Sequence, residues 1–212
     1  LSSLKDIMKV GGGGLINSIT IAGTVAVVTA TVSKHGVEAL AGYGLGSRLE
    51  IIITPLVFGI GSVLTASVGI NVGAQQLPRA KMIAWTGAFI SFCVVGLLGA
   101  TVTIFPDVWL NNFESSTLIR DYATSYLIIV APFYCFFAAG QTLYFASQGL
   151  GKIFYPVIVG IIRLLSVSII CYYVTFNDLS LNFVFYGVSF GLLATGLGLW
   201  MCMLGPDWKK QI

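Results

Sequence analysis

Three ionisable side chains, Arg48, Glu50 and Arg163, lie inside long apolar stretches of the sequence. Placing a charge at the centre of a membrane costs about 2.5–3.5 kcal/mol even on a lenient insertion scale, so such residues usually handle an ion or ligand or pair within the protein. Arg48 and Glu50 are two positions apart, hence on nearly opposite faces of a helix, and each needs another partner. Arg48 can reach the outer interface, whereas Arg163 lies too deep for its side chain to reach water easily.

Arg163 therefore needs a partner inside the protein. Glu50 is the natural first candidate, and a cluster of carbonyls and amides is the alternative. Two roles are open for Glu50 and Arg163: a structural pair, or direct participation in moving an ion or a ligand. Either role predicts that Arg163 faces inward rather than lipid.

Uncharged polar and aromatic side chains add candidates for a ligand-binding cavity. Asn17 and Gln141 are the strongest amides, because a buried amide is costly to leave unpaired and can bond varied ligand groups. The fourth apolar stretch is rich in aromatic rings, which pack in a core or against lipid by default and would also suit lipophilic cations. These rings are Tyr126, Phe133, Tyr134, Phe136, Phe137, Tyr144 and Phe145.

No sequence motif supports catalysis. Residues 187–191, Gly-Val-Ser-Phe-Gly, match the G-x-S-x-G pattern, but that motif requires a preceding strand and a nearby histidine base. Here the pattern lies in an apolar stretch, and the single histidine, His35, lies in a distant loop. Zinc, paired-cysteine and phosphate-loop motifs do not occur in the sequence. We therefore predict that the chain is not an enzyme, holds no metal cofactor and does not use ATP directly.

Composition indicates a protein that lies within a membrane. The sequence is 57% hydrophobic and 9% charged, against roughly 25% charged residues in an ordinary soluble domain. Its formal net charge is +3, but the basic residues form no run or helical stripe, so a nucleic-acid partner is not expected. Membrane lipid is therefore the expected surrounding.

The elements that must position these side chains are six apolar spans, each long enough to cross about 30 Å of hydrocarbon as a helix. Turn-forming Gly, Pro, Asn and Asp residues separate them. This pattern predicts an all-α, polytopic integral membrane protein. The expected spans are 10–32, 39–72, 82–105, 122–146, 154–176 and 181–204.

The distribution of basic residues predicts the orientation, since loops rich in Lys and Arg remain cytoplasmic. One side carries Lys5, Lys9, Arg79, Lys81, Lys152, Lys209 and Lys210. The other side carries Lys34 and Arg120 together with five acidic residues. Both chain ends are therefore expected on the cytoplasmic side, in agreement with an even number of spans. The abrupt start at Leu1 leads us to expect a fragment of a longer product.

Two prolines interrupt predicted spans and are candidate hinges. Pro55 removes a hydrogen bond to the carbonyl of Ile51, and Pro132 does the same for Ile128. The second span, some 34 residues and about 50 Å long, must also tilt, bend or protrude. A kink or local unwinding is expected at each proline, with either a packing role or a hinge role.

The second span and the loop after it resemble a known family pattern. The chain is similar here to the seventh-to-eighth helix region of the multidrug and toxic compound extrusion family, part of a larger group that also exports oligosaccharidyl lipids and polysaccharides. The residues that carry the resemblance are Ala39-Leu40-Ala41-Gly42-Tyr43-Gly44-Leu45-Gly46-Ser47-Arg48-Leu49-Glu50, then Pro55 and Gly59, then Val68-Gly69-Ile70-Asn71-Val72-Gly73-Ala74. The spacing of the later spans is consistent with it to the end of the chain.

The resemblance implies that residues 1–212 form the C-terminal six-helix lobe of a pseudo-twofold transporter in a bacterial inner membrane. Such a lobe needs an N-terminal six-helix lobe as its partner, and the pair would export drugs or other small, often cationic, organic compounds in exchange for Na⁺ or H⁺. Some family members carry cation-binding carboxylates in the helices that match the first and fourth spans, which here contain no Asp or Glu in their interiors. The coupling carboxylate is then in the other lobe, or Glu50 has taken over part of its role.

Two other functions compete with the antiporter. A flippase for lipid-linked oligosaccharides, from the same larger group, should line its cleft with several basic residues, and here Arg163 and Arg48 are the available ones. A scaffold subunit without a transported substrate has no reason to retain charges and broken helices at mid-membrane.

Overall fold

The computed structural model describes residues 2–205 and residue 208, with the side chains of that range apart from 2–7, 9 and 10. Six helical segments in it are long and apolar enough to cross a membrane, and the described residues contain helices but no strand. The predicted all-α membrane fold is therefore confirmed. The helices are α1 Ser2–Ser33, α2 Val37–Gly73, α3 Leu77–Ile104, α4 Asp107–Leu110, α5 Thr117–Val130, α6 Tyr134–Gly149, α7 Phe154–Phe176 and α8 Leu181–Leu204.

The helix bounds follow the predicted spans closely in the second half of the chain. α7 and α8 have the predicted bounds, because Gly, Pro, Asn and Asp residues mark both of their ends. α1 and α3 begin earlier than expected, at Ser2 and Leu77, since polar residues continue the helix beyond the apolar span. The short helix α4 lies in a segment that the sequence reading treated as a loop.

Successive long helices run antiparallel, so the basic loops meet at one end of the bundle. A Cβ built on Gly14 would lie 3.5 Å from Nε2 of Gln148, and one built on Gly149 would lie 2.5 Å from the Thr65 carbonyl oxygen. These approaches bring together the start of α1 and the ends of α2 and α6. The predicted common side for Arg79 and Lys152 is therefore confirmed. The side chain of Lys5, together with Lys209 and Lys210, lies outside the described residues.

The bundle consists of two packed groups joined by α8. In one group α1 packs on α7, and in the other α6 packs on α2 and α3, while α5 packs on α2. α8 contacts α7, α6 and α5, and so connects the groups. The space between α1 and α7 on one side and α2 and α6 on the other is where the candidate site lies.

The fourth span breaks at Pro132, as predicted. α5 ends at Val130, a 3₁₀ turn covers Ala131–Phe133, and α6 starts at Tyr134. Neighbouring helices stabilise the break: the Ser189 hydroxyl of α8 donates to the carbonyl of Ile129 at 2.8 Å. Gly99 of α3 also lets that helix approach the turn, since a Cβ there would lie 2.5 Å from the Ala131 carbonyl oxygen. Such bonds and close contacts are what irregular backbone requires inside a membrane.

Pro55 has a different effect. α2 continues as one α-helix from Val37 to Gly73, so local unwinding, one of the two expected consequences of this proline, does not occur. Pro55 lies on an exposed face, and the Ile51 side chain beside the lost hydrogen bond is 70% exposed. In the part of the chain that the structure describes, no neighbouring helix holds the backbone open there, and the helix tolerates one missing bond.

Candidate functional site

Glu50 lies within α2 and receives hydrogen bonds from two tyrosines. The hydroxyls of Tyr126 and Tyr134 both donate to Glu50 Oε1, the second at 3.3 Å. Tyr126 belongs to α5 and Tyr134 to α6, so the two donors flank the 3₁₀ turn at Pro132. Both tyrosine rings are buried, and a buried tyrosine hydroxyl ordinarily needs a polar partner. The break in the fourth span thus sets the orientation of two hydroxyls toward one carboxyl group.

Arg163 points inward from α7 and is 4% exposed. Its guanidinium carbon lies 5.9 Å from the centre of the Phe137 ring, a cation–π arrangement. Its Nε and Nη2 atoms have no hydrogen-bond partner among the described residues. Gly191 of α8 provides space for the side chain, because a Cβ there would lie 3.4 Å from Arg163 Cγ. The predicted inward orientation is therefore confirmed.

The expected direct pair between Arg163 and Glu50 does not form. Both side chains are described, and no ion pair joins them within 4.0 Å. The reason is that the two tyrosine hydroxyls bind Glu50 Oε1, while the guanidinium stacks over Phe137. Both charged groups instead line one cavity of about 80 Å³.

This cavity joins the two packed groups of helices. Its wall combines Glu50, Thr54 and Tyr43 of α2 with Thr24 of α1 and Arg163 of α7. A space of this size has room for several water molecules, which need polar groups of the kind found on its wall. The site therefore presents a carboxyl that can gain or lose a proton beside a cation without a direct counter-ion. A change of charge on the carboxyl alters the energy of the cation strongly in such surroundings.

The structure places the other three predicted residues away from the cavity lining. Arg48 is exposed near the opposite end of α2 from Gly73, with its guanidinium carbon 5.5 Å from the centre of the Phe113 ring. Asn17 is buried beside Gly160, where a Cβ would lie 3.5 Å from Asn17 Oδ1. Gln141 is 1% exposed, and its Nε2 atom has no hydrogen-bond partner among the described residues.

Gln141 and Asn17 nevertheless lie close to the site along their own helices. Gln141 follows the cavity residue Phe137 by four positions in α6, and Asn17 precedes the cavity residue Ile21 by four positions in α1. Residues four apart share a helix face. Both amides are therefore one turn from the cavity, on the side of the basic loops. They extend the polar interior without lining the cavity itself.

Sequence reasoning missed the tyrosine hydroxyls as functional groups. Tyr126 and Tyr134 appeared only as members of an aromatic wall, although both donate to Glu50. A usable signal was present, since each tyrosine lies inside the apolar span within six residues of Pro132, and a tyrosine hydroxyl that becomes buried there needs a polar partner. The Ser189 hydroxyl of the G-x-S-x-G match contacts the Ile129 and Phe185 carbonyls and serves helix packing.

Known proteins resemble this chain over part of their length. It is 25% identical over 163 residues to a Thermotoga maritima protein named "Probable multidrug resistance protein NorM", covering 77% of this chain and 35% of that protein. It is 29% identical over 122 residues to a Shewanella oneidensis protein named "FAD transporter", covering 56% of this chain and 27% of that protein. The matched stretches of the chain thus cover about a third of the length of these relatives.

A solved structure shows the same fold. The structure described as the MATE transporter ClbM in complex with Rb⁺ has a TM-score of 0.87 and 21% identity, over 96% of this chain and 48% of that chain. The six-helix fold therefore corresponds to half of that protein. The family model MatE matches residues 15–174 of the sequence. The resemblance seen in the second span is thereby confirmed, and the chain belongs to the MatE family.

Proposed function

We propose that this chain is the C-terminal six-helix lobe of a secondary antiporter that exports small organic, often cationic, compounds in exchange for a cation. Membership of the MatE family and the half-length match to a transporter structure support this proposal. The observation that carries it is the cavity in which Glu50, held by two tyrosine hydroxyls, faces the guanidinium of Arg163, which forms no ion pair among the described residues. Charges at this depth are expensive to retain without a role.

The proposed coupling uses the charge of Glu50 to change the contacts between α2 and α7. A charged Glu50 balances Arg163 across the cavity, although no direct bond joins them. When Glu50 takes up a proton, Arg163 loses this balancing charge in surroundings where Coulomb energies are large. The favoured position of α7, which carries Arg163, then differs between the protonated and the charged form of Glu50. A two-state lobe biased in this way is what an exchange mechanism requires.

A proton suits this cavity better than Na⁺. The positive charge of Arg163 lies on the same cavity wall as Glu50, and a second cation there would be repelled. The tyrosine hydroxyls already donate to one oxygen of the carboxyl group. Proton uptake adds no ion that must be accommodated beside the guanidinium. We therefore assign H⁺ as the coupling ion in this lobe.

The complete transporter is proposed to pair this lobe with an N-terminal six-helix lobe, in a bacterial inner membrane with both ends of the chain in the cytoplasm. The shared end of Arg79 and Lys152, the basic end of the bundle, supports this orientation. A flippase for lipid-linked oligosaccharides is less well supported, because Arg163 is the one basic residue among the described residues that line the cavity. A scaffold subunit would not need the cavity at all.

The test is drug export by the complete transporter carrying Glu50→Gln, reconstituted in vesicles with an imposed proton gradient. Glu38→Gln is the matched control, because Glu38 makes the same charge change on α2 at an exposed position. We expect Glu50→Gln to abolish export with normal folding, and Glu38→Gln to leave export unchanged. Full export by a folded Glu50→Gln protein would contradict the proposed coupling. Loss of folding would instead assign Glu50 a structural role.

A further inference from the structure

An open groove lies on the outside of the bundle between α3, α6 and α8, apart from the candidate site. Its volume is about 300 Å³, and small residues, Ala88, Ala139 and Gly196, contribute to its lining. Large aromatic and aliphatic side chains form the rest: Trp85, Phe89, Phe92, Phe136, Leu143, Leu197 and Trp200. Among the described residues, no charged side chain lines it. The groove therefore offers an apolar surface within the depth of the membrane-spanning helices.

Aromatic pairs cross this groove at two depths. The Trp85 and Trp200 rings meet edge to face with centres 6.2 Å apart, and Phe92 and Phe136 do so at 5.5 Å. The tryptophans lie toward the basic end of the bundle and the phenylalanines toward mid-membrane. Tryptophan is enriched at the membrane–water interface, where one part of the ring is apolar and the other is wet. This order, tryptophan and then phenylalanine, follows the change from headgroup to acyl chain in one leaflet.

The groove and the helical turn before it together match the depth of one leaflet. The groove itself is lined on α3 from Trp85 to Phe92, about 10 Å at 1.5 Å per residue. Lys81, Trp85, Phe89 and Phe92 follow one another at intervals of four, four and three residues, so they share one face of α3. The distance along the helix from Lys81 to Phe92 is about 16 Å at 1.5 Å per residue. Half of a hydrocarbon core of about 30 Å is nearly the same length. An acyl chain of one leaflet can thus lie along the whole groove.

Two basic side chains at the start of α3 indicate the kind of lipid headgroup that would bind beside the groove. Lys81 lies one turn before Trp85 on the same face, and Arg79 is exposed in the first turn of α3. Within this first stretch of α3, from Leu77 to Phe92, no acidic residue opposes them. Basic residues at the membrane surface attract anionic lipids rather than zwitterionic ones.

We propose that the groove between α3, α6 and α8 binds an anionic phospholipid, with its headgroup at Lys81 and Arg79 and one acyl chain between the tryptophan and phenylalanine pairs. The site is distinct from the cavity of Glu50 and Arg163, with which it shares no lining residue. It does not depend on the proposed transport function.

Fluorescence quenching by brominated lipids tests this site on the chain as it stands. Trp109→Phe and Trp208→Phe remove two of the four tryptophans and leave Trp85 and Trp200 as reporters. The protein is placed in vesicles containing either dibrominated phosphatidylglycerol or dibrominated phosphatidylcholine. We expect stronger binding of the anionic lipid, by about fivefold or more, as judged from the quenching of these two tryptophans.

Two variants separate the contributions of charge and shape. Lys81→Gln should lower the preference for phosphatidylglycerol about fivefold, whereas Lys34→Gln, the same change at an exposed position on the other end of the bundle, should not. Ala139→Leu fills the groove without adding charge and should reduce quenching by both lipids. A Tyr172→Trp protein lacking the other tryptophans reports an exposed surface of α7 and should show no preference.

Equal quenching of Trp85 and Trp200 by the two lipids would overturn the proposal. So would an unchanged preference in Lys81→Gln with normal helicity and a monodisperse profile. Loss of quenching by every brominated lipid, together with a dimer that Ala139→Leu disrupts, would assign the groove to a second copy of the chain. In the complete transporter, the same loss without a dimer would assign it to the other lobe.

Discussion

Two arginine–carboxylate combinations in this lobe are arranged in opposite ways. At one end of the bundle Arg120 contacts Asp107 at 2.7 Å, and their side chains are 32% and 69% exposed. In the interior, Arg163 and Glu50 line one cavity and yet do not pair within 4.0 Å. Close ion-pair geometry thus occurs where water weakens the interaction. In the buried cavity, where the attraction between opposite charges is strong, Tyr126 and Tyr134 bind Glu50 while Phe137 contacts Arg163, and the two charges stay apart. A proton taken up by Glu50 can then change the electrostatic energy of Arg163 without breaking an ion pair.

The largest effect is expected from removing the interior cation. Arg163→Met leaves Glu50 without a balancing charge and should lower the free energy of unfolding by about 3 kcal/mol. Adding Glu50→Gln should recover part of this loss, because the uncompensated charge is then gone. Unfolding in mixed detergent micelles measures the free energy of unfolding of each single variant and of the double variant, which together form a double-mutant cycle. Strict additivity of the two changes would show that the charges do not interact across the cavity.

The next effect concerns the room that Gly191 provides for Arg163. In Gly191→Ala the new Cβ would lie 2.7 Å from Val167 Cγ2 and 3.4 Å from Arg163 Cγ. The resulting overpacking should cost about 1–3 kcal/mol of unfolding free energy. Gly59→Ala is the matched control, since nothing lies within 4 Å of its Cβ position. A Gly191→Ala protein as stable as Gly59→Ala would mean that α7 and α8 adjust freely around the arginine.

The two tyrosines should differ in their contribution to holding Glu50. Tyr126→Phe removes the closer hydroxyl and should cost about 1.5–3 kcal/mol, the range for a hydrogen bond to a charged group. Tyr134→Phe removes a bond of 3.3 Å and should cost less, about 1 kcal/mol. Thermal unfolding of the two variants, each in the same detergent, gives the order. The reverse order would assign Tyr134 as the main support of the carboxyl.

The smallest effect is expected at the exposed pair. Arg120→Gln should change the free energy of unfolding by less than about 1 kcal/mol, because surface ion pairs contribute little. The change should shrink further in 1 M salt, where screening acts over about 3 Å. Unfolding curves at low and high salt measure both values. A loss as large as that of Arg163→Met would remove the contrast between the two pairs.

The two prolines show which consequences of a proline the sequence predicts and which depend on the neighbouring helices. Both were expected to kink or unwind a helix, since each removes one hydrogen bond. Only at Pro132 does the helix break, and there Ser189 and the close approach at Gly99 stabilise the irregular backbone. At Pro55 the helix continues. A local rule predicts the lost bond, whereas the neighbouring helices decide its consequence.

The sequence by itself determined the membrane fold, the number of spans, the common end of Arg79 and Lys152, and the inward direction of Arg163. These follow from hydrophobicity, length and the cost of an unpaired charge, which depend on residue type alone. Only the tertiary structure decided which groups meet Glu50. Tyr126 and Tyr134 are 76 and 84 positions away from it along the chain, and their hydroxyls reach it because α2 packs against both sides of the Pro132 break. Contacts between helices distant in sequence depend on packing geometry, which no local pattern encodes.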